Sequence, residues 1–139
     1  MVDYFGPTNF LRMDDFESRI VHDAADSPES LLIGGAIQDN KKKTLTADPI
    51  SYVTKDDSPF LIVHGTKDMA VPYNQSVILN AALNKIDVPT ALLTVVDGGH
   101  GVGGGVLNKR LQIFFDHHLR GGEAAFKDEA IPVGKTGRR

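Results

Sequence analysis

The chain has 139 residues, of which 41% are hydrophobic and 24% charged, with 15 Lys and Arg against 18 Asp and Glu. This composition fits one globular domain and excludes a collagenous or wholly disordered chain. The net charge of −3, with no basic run that could line a phosphate groove, argues against nucleic-acid binding. No cysteine is present, which excludes disulfides, thiolate zinc sites and a cysteine nucleophile.

The N-terminal residues have neither the cationic start nor the apolar core of a signal peptide. No apolar stretch approaches the ~20 residues that span a bilayer. We therefore expect a cytoplasmic protein that does not enter the membrane, with secretion left open if a leader precedes Met1.

The first third of the chain predicts little regular structure. Residues 1–27 are rich in Asp and turn formers, and we expect them to be irregular. A short helix should follow, because Ser27 can cap it, Pro28 suits its first position and Gly34 can end it. A second short helix is expected from Asp39 to Ala47.

The middle of the chain alternates between strand and helix patterns. Residues 60–64 form a continuous apolar and aromatic run, which is typical of a strand buried on both faces. Residues 73–85 are helical in pattern, 90–96 form a second strand, and 98–105 form a glycine-rich loop. A last helical stripe follows, made of Leu107, Leu111, Phe114, Phe115 and His118.

This order predicts an α/β protein with a parallel βαβα unit and additional short helices. In such sheets the chemistry lies in loops at the carboxyl ends of the strands. Asp68 follows the first strand and His100 follows the second, so both should emerge at one edge. An Asp that accepts a hydrogen bond from one imidazole nitrogen leaves the other nitrogen to act as a base.

Two motifs in these loops resemble those of a known family. His64-Gly65-Thr66-Lys67-Asp68 with Val71-Pro72, and Gly98-Gly99-His100-Gly101, are similar to the Asp and His motifs of the α/β-hydrolase fold. The closest similarity is to its esterase and lipase branch, which includes xylan and feruloyl esterase-like proteins. Peptidases like prolyl oligopeptidase end similarly, so a piece of such a peptidase stays an alternative. Three more stretches resemble the fold: Val2–Thr8, Asp48–Val53 and Phe114–Leu119.

The resemblance implies a carboxylesterase of the Ser-Asp-His type that acts on a small-molecule ester, with Asp68 as the acid and His100 as the base. The family's serine lies on a Gly-x-Ser-x-Gly turn that precedes both. No serine here has glycines two residues before and after it. The chain thus resembles the C-terminal half of a hydrolase, and we expect little or no ester hydrolysis from it alone. Ser76 and Ser51 are the first nucleophile candidates if turnover is found.

Residues 1–120 are expected to form this hydrolase portion and residues 121–139 a tail. Two buried strands alone would leave open backbone beside them, which favours association. We therefore expect a homo-oligomer, most simply a dimer, or a complementary N-terminal half that completes the partial fold. A non-catalytic, self-associating module is the alternative function.

No cofactor or metal is expected. Gly99–Gly104 matches the glycine spacing of a dinucleotide fingerprint, but no further strand with an acidic end is predicted after it. Gly134-Lys135-Thr136 mimics the end of a P-loop, but Glu129 stands where the first glycine is required. His117 and His118 are adjacent, so they point in different directions on a helix and do not form a metal site.

Overall fold

The computed structural model describes residues 1–123 and 126–136. Within these residues the strands form one sheet in the order β1-β2-β3-β4, and all neighbours run parallel. The strands are β1 (Val2–Tyr4), β2 (Phe60–Gly65), β3 (Thr90–Val96) and β4 (Glu129–Pro132). The helices are α1 (Pro28–Ile33), α2 (Lys41–Ala47), α3 (Asn74–Lys85), α4 (Gly105–Arg120) and α5 (Val133–Thr136), with 3-10 turns at Phe10–Asp15 and Pro49–Tyr52.

The predicted α/β class and the parallel βαβα unit are confirmed by β2, α3, β3 and α4. Strands β1 and β4, which flank this unit, were not predicted from the sequence. The expectation that β2 and β3 have open backbone beside them is wrong, because Asp3 pairs with Ile62 and Ile131 pairs with Val95. Part of the expected tail, residues 129–132, is therefore the strand next to β3.

The two central strands are buried because each face of the sheet is covered by a different helix. Leu61 and Val63 point to one face, where they pack with Leu107 and Phe114 of α4. Ile62 points to the other face, where it packs with Leu79 and Leu83 of α3. Each such buried side chain contributes roughly 1.5–3 kcal/mol. The continuous apolar pattern of β2 follows from this two-sided burial.

The helices follow local signals with two exceptions. Ser27 caps α1, since its Oγ accepts a hydrogen bond from the Ser30 N–H at 3.1 Å. Of the two residues that could cap α2, Asp39 and Asn40, the structure places Asn40 at the N-cap position before Lys41, but its side chain makes no capping hydrogen bond. Phe115 belongs to the predicted apolar stripe but is 43% exposed. No helix in the described ranges has the length and apolar character needed to cross a membrane.

A third apolar cluster fastens the N-terminal segment to the domain. Phe10 and Met13 are buried there with Ile33 and Ile37. Residues 1–27, expected to be irregular, thus begin with β1 and then pack through these two side chains. The chain itself starts at the amino end of β2, where the Met1 amino group donates to the Pro59 carbonyl at 2.6 Å, and it reaches Val63 with the N–H of Phe5.

Candidate active site

Asp68 and His100 meet at the carboxyl edge of the sheet. Asp68 lies in the acid loop, residues 66–72 after β2, and His100 lies in the base loop, residues 97–104 after β3. His100 Nδ1 is 2.9 Å from Asp68 Oδ2. The Asp68 side chain is fully buried, whereas that of His100 is 48% exposed. The structure therefore brings together the two residues singled out in the sequence.

The two loops touch at a glycine. The Lys67 N–H donates to the Gly98 carbonyl at 2.8 Å, which joins the acid loop to the base loop. A Cβ on Gly65 would collide with the Gly98 carbonyl and would lie 2.8 Å from the Gly99 oxygen. Only glycine permits this approach, because a side chain there would meet backbone that cannot rotate away.

Asp68 is held on both carboxylate oxygens. Its Oδ1 accepts hydrogen bonds from the Ala70 N–H at 2.8 Å and the Val71 N–H at 3.0 Å. Its Oδ2, which faces His100, also lies 3.2 Å from His64 Nε2. A buried carboxylate with hydrogen-bond partners on each oxygen is fixed in orientation, and neither oxygen is left unpaired.

This arrangement sets the tautomer of His100. An ionised carboxylate only accepts, so Nδ1 of His100 carries the proton that bonds to Asp68. Nε2 then holds the lone pair of the neutral ring. No residue in the described part of the chain makes a hydrogen bond to this nitrogen. His100 thus presents an unoccupied base on the partly exposed side of its ring.

Phe5 covers the other side of the imidazole. It directly follows β1, and its N–H donates to the Val63 carbonyl at 2.9 Å. Its ring centroid lies 4.4 Å from that of His100. Phe5 has a φ of 45°, which is uncommon for a residue with a side chain. Such strain persists where the surroundings hold it, and here it places an aromatic ring against the candidate base.

His64 forms a buried network behind Asp68 that the sequence does not reveal. Its ring is fully buried, with Nδ1 at 2.7 Å from Ser76 Oγ and Nε2 at 2.9 Å from the Val71 carbonyl. Burial lowers the pKa of His64, opposed by the Val71 carbonyl and Asp68 and reinforced by His100. Ser76 is also fully buried, so the first nucleophile candidate is sealed inside the domain. Ser51 is exposed on the 3-10 turn that follows α2.

A second cluster imitates the connectivity of a catalytic triad. Ser18 Oγ is 3.2 Å from His22 Nε2, and His22 Nδ1 is 3.0 Å from Glu29 Oε2. The Ser18 hydroxyl also donates to the Met69 carbonyl at 3.1 Å and accepts from the Ile20 N–H at 3.1 Å. The N–H of Arg19, the residue after this serine, also donates to the Met69 carbonyl at 2.8 Å, so both the hydroxyl and the amide that an oxyanion would need are occupied. The cluster therefore fastens this segment to the acid loop.

Neither a nucleophile nor a metal cluster accompanies the Asp68–His100 pair. All serines of the chain lie in the described ranges, and none is hydrogen-bonded to His100. Within those ranges, no group of His, Asp and Glu side chains is arranged to hold a metal ion. A groove of about 540 Å³ lies elsewhere, beside Phe60 and Thr90 at the amino ends of β2 and β3.

Comparison with known proteins agrees with the esterase resemblance. Residues 1–83 match the BD-FAE family, a range that includes Asp68 and ends before His100. The esterase LipQ of Mycobacterium tuberculosis is 37% identical over 62 residues, which cover 45% of this chain and 15% of that protein.

Two solved structures share the fold. A bifunctional GH43-CE protein of Bacteroides eggerthii superposes with a TM-score of 0.76 at 32% identity, covering 85% of this chain and 16% of that one. A truncated form of a carbohydrate esterase from gut microbiota gives a TM-score of 0.76 at 32% identity, covering 84% and 41%. This chain thus spans less than half the length of each relative. Because the family match extends over more than half of its residues, the chain belongs to the BD-FAE family.

Proposed function

We propose that this chain supplies the acid and the base of a Ser-Asp-His carboxylesterase whose nucleophilic serine lies outside these 139 residues. The observation that carries the proposal is the 2.9 Å contact between His100 Nδ1 and the fully buried carboxylate of Asp68. Esterase-type relatives support the reaction class. The serine is assigned elsewhere because the serines of this chain lack both a glycine elbow and a bond to His100.

In the proposed reaction, His100 Nε2 accepts the serine proton as the serine oxygen attacks the ester carbonyl. Asp68 stabilises the imidazolium that forms while the carbonyl carbon becomes tetrahedral. The imidazolium then returns its proton to the leaving alcohol, and an acyl-serine remains. A water molecule, deprotonated by the same Nε2, releases the carboxylic acid and restores the serine.

We propose an ester carried on a carbohydrate as the substrate class. This assignment rests on the two structural relatives, one of which is named a carbohydrate esterase and the other a GH43-CE protein. The acyl and alcohol pockets would be completed by the segment that supplies the serine.

The test compares the chain alone with a longer protein in which a segment carrying Gly-x-Ser-x-Gly precedes it. We expect the chain alone to be inert towards p-nitrophenyl acetate and a fluorophosphonate probe, and the longer protein to react with both. His100→Ala should lower kcat of the longer protein by about 10³-fold or more, since triad members act as a unit. The control is His117→Ala, because that ring bonds to the Gly122 carbonyl at the end of α4.

Robust turnover by the chain alone that His100→Ala abolishes would overturn the assignment of the serine to another segment. Full activity of the longer protein after His100→Ala would overturn the catalytic role of His100.

Self-association is a second candidate function, favoured by the edge of the sheet. Among the described residues, β1 pairs with β2 on one side and with no strand on the other. An unpaired edge is a site for strand addition, by a second copy or by a complementary segment. Light scattering during size exclusion measures the mass directly. A stable, well-folded monomer would contradict self-association.

A further inference from the structure

We propose that His64 is a positioning residue for Asp68: as a neutral ring locked in the Nε2–H tautomer, it shares this one N–H between the Val71 carbonyl, at 2.9 Å, and the carboxylate oxygen that receives His100, at 3.2 Å. The inference deepens the proposed function and rests on it, because it gives the acid of the pair a dedicated support. It concerns a ring that touches neither substrate nor nucleophile.

The tautomer follows from the partners of the two ring nitrogens. Nε2 faces acceptors alone, the Val71 carbonyl at 2.9 Å and Asp68 Oδ2 at 3.2 Å, so it must carry a proton. Nδ1 lies 2.7 Å from Ser76 Oγ, which can donate its hydroxyl proton to a bare nitrogen. The hydroxyl proton of Ser76 serves Nδ1, and the one ring proton on Nε2 is shared between the nearer Val71 carbonyl and Asp68 Oδ2.

The charge state follows from the surroundings. Burial lowers the pKa of His64, and the charge of His100 lowers it further. The rings packed against it are those of Phe5 and Tyr73, with centroids at 6.3 Å and 5.8 Å. The Tyr73 hydroxyl is turned to Thr94, with which it forms a hydrogen bond of 2.7 Å. Asp68 and His100 are thus the titratable groups that His64 meets at its Nε2 edge.

Neutrality is what makes the support compatible with catalysis. When His100 accepts a proton, Asp68 must stabilise that positive charge. A second imidazolium on the same oxygen would compete for Asp68 and repel His100. A neutral N–H lying against Oδ2 instead orients this oxygen while the negative charge stays available to His100.

The order Ser76–His64–Asp68 superficially resembles a triad, but it runs through the ring in the opposite sense. In a triad the carboxylate contacts Nδ1 and the serine contacts Nε2. Here Asp68 contacts Nε2 and Ser76 contacts Nδ1. His64 and Ser76 are both fully buried, so these contacts support the acid loop from inside the domain.

The first measurement is imidazole ¹⁵N NMR on the full 139-residue chain. We expect His64 to show a protonated Nε2 and an unprotonated Nδ1, and to keep this neutral form well below pH ~6.5, the ordinary pKa of a histidine. A protonated Nδ1, or an imidazolium at pH ~6.5, would overturn the proposal without any variant being needed.

The second measurement compares two variants that separate the ring's two contacts. The amide nitrogen of glutamine reaches about as far as Nε2, so His64→Gln can still donate to Asp68. Asparagine reaches only about as far as Nδ1, so His64→Asn keeps the Ser76 side and loses the Asp68 side. The readout is hydrogen exchange of the proton between His100 Nδ1 and Asp68, observed as a downfield resonance.

We expect His64→Asn to speed this exchange at least about tenfold, because a hydrogen bond to a charged group contributes about 1.5 kcal/mol or more. His64→Gln should remain near the wild-type rate. Equal exchange in the two variants would overturn the proposal. Amide spectra of β2 and β3 report whether each variant retains the fold.

These measurements need no turnover, so they fail or succeed separately from the proposed function. An intact, His64-dependent bond between His100 and Asp68 in a completed protein without esterase activity would refute the function alone. Full activity that tolerates His64→Asn would refute the positioning role alone.

Discussion

Replacing Gly65 with alanine should push the acid and base loops apart. The added Cβ would overlap the Gly98 carbonyl oxygen and lie 2.5 Å from its carbon, so the base loop would have to retreat by about 1.2 Å to reach ordinary contact. If His100 followed this shift, its 2.9 Å bond to Asp68 would lengthen beyond hydrogen-bond range. Overpacking of this kind costs about 1–3 kcal/mol, which corresponds to a fall in Tm of about 4–12 °C for a chain of this size.

Thermal unfolding followed by circular dichroism measures the stability, and the downfield resonance of the His100–Asp68 proton measures the bond. The matched control is Gly103→Ala in the base loop, where an added Cβ would meet nothing within 4 Å. Both variants stiffen the unfolded chain equally, so their difference isolates the collision. Equal Tm values with an intact resonance in Gly65→Ala would refute the reasoning.

Three further outcomes are expected. The pKa of buried His64 is lowered, so below pH ~6.5 the unfolded chain binds a proton that the folded chain does not, and the free energy of unfolding falls by up to about 1.4 kcal/mol per pH unit. Urea unfolding at pH ~7.5 and ~5.5 should show a smaller loss of this free energy in His64→Gln than in the wild type. Equal losses in the two proteins would contradict this prediction. Ser27→Ala removes the acceptor of the Ser30 N–H and should cost about 1 kcal/mol in denaturant unfolding, whereas Ser27→Asp should cost little. Arg110→Ala removes two hydrogen bonds to Glu129, at 2.7 and 2.8 Å. Since both side chains are about one-third exposed, we expect a loss of at most about 1 kcal/mol in the free energy of unfolding, with faster amide exchange confined to β4. Unchanged amide exchange in β4 would argue against a role of this ion pair in holding the strand.

The central unit could be predicted because its local patterns and its tertiary environment agree. Strand β3 has the predicted bounds, and β2 extends the predicted run by Gly65 alone. Strands β1 and β4 could not be predicted, since they have three and four residues and β4 ends in a proline. These two strands form because they pair with β2 and β3, and their own sequences do not predict a strand.

The candidate site likewise has one part that could be predicted from the sequence and one part that could not. Asp68 and His100 lie in recognisable motifs at successive strand ends, so their meeting was predictable. The supporting contacts depend on groups that no spacing rule connects. Ser76 reaches His64 from α3, and Phe5 arrives from β1 with a backbone conformation that its side chain does not favour.

The neighbouring positions of β2 and β3 also have a consequence for the order of folding. Asp68 and His100 are only 32 residues apart, and one helix separates the strands that carry them. The acid–base pair can therefore assemble as soon as this one crossover closes, at the modest entropic cost of a short loop. In the described part of the chain, the hydrogen bonds that set the geometry of the pair are made within this crossover and the base loop that follows it.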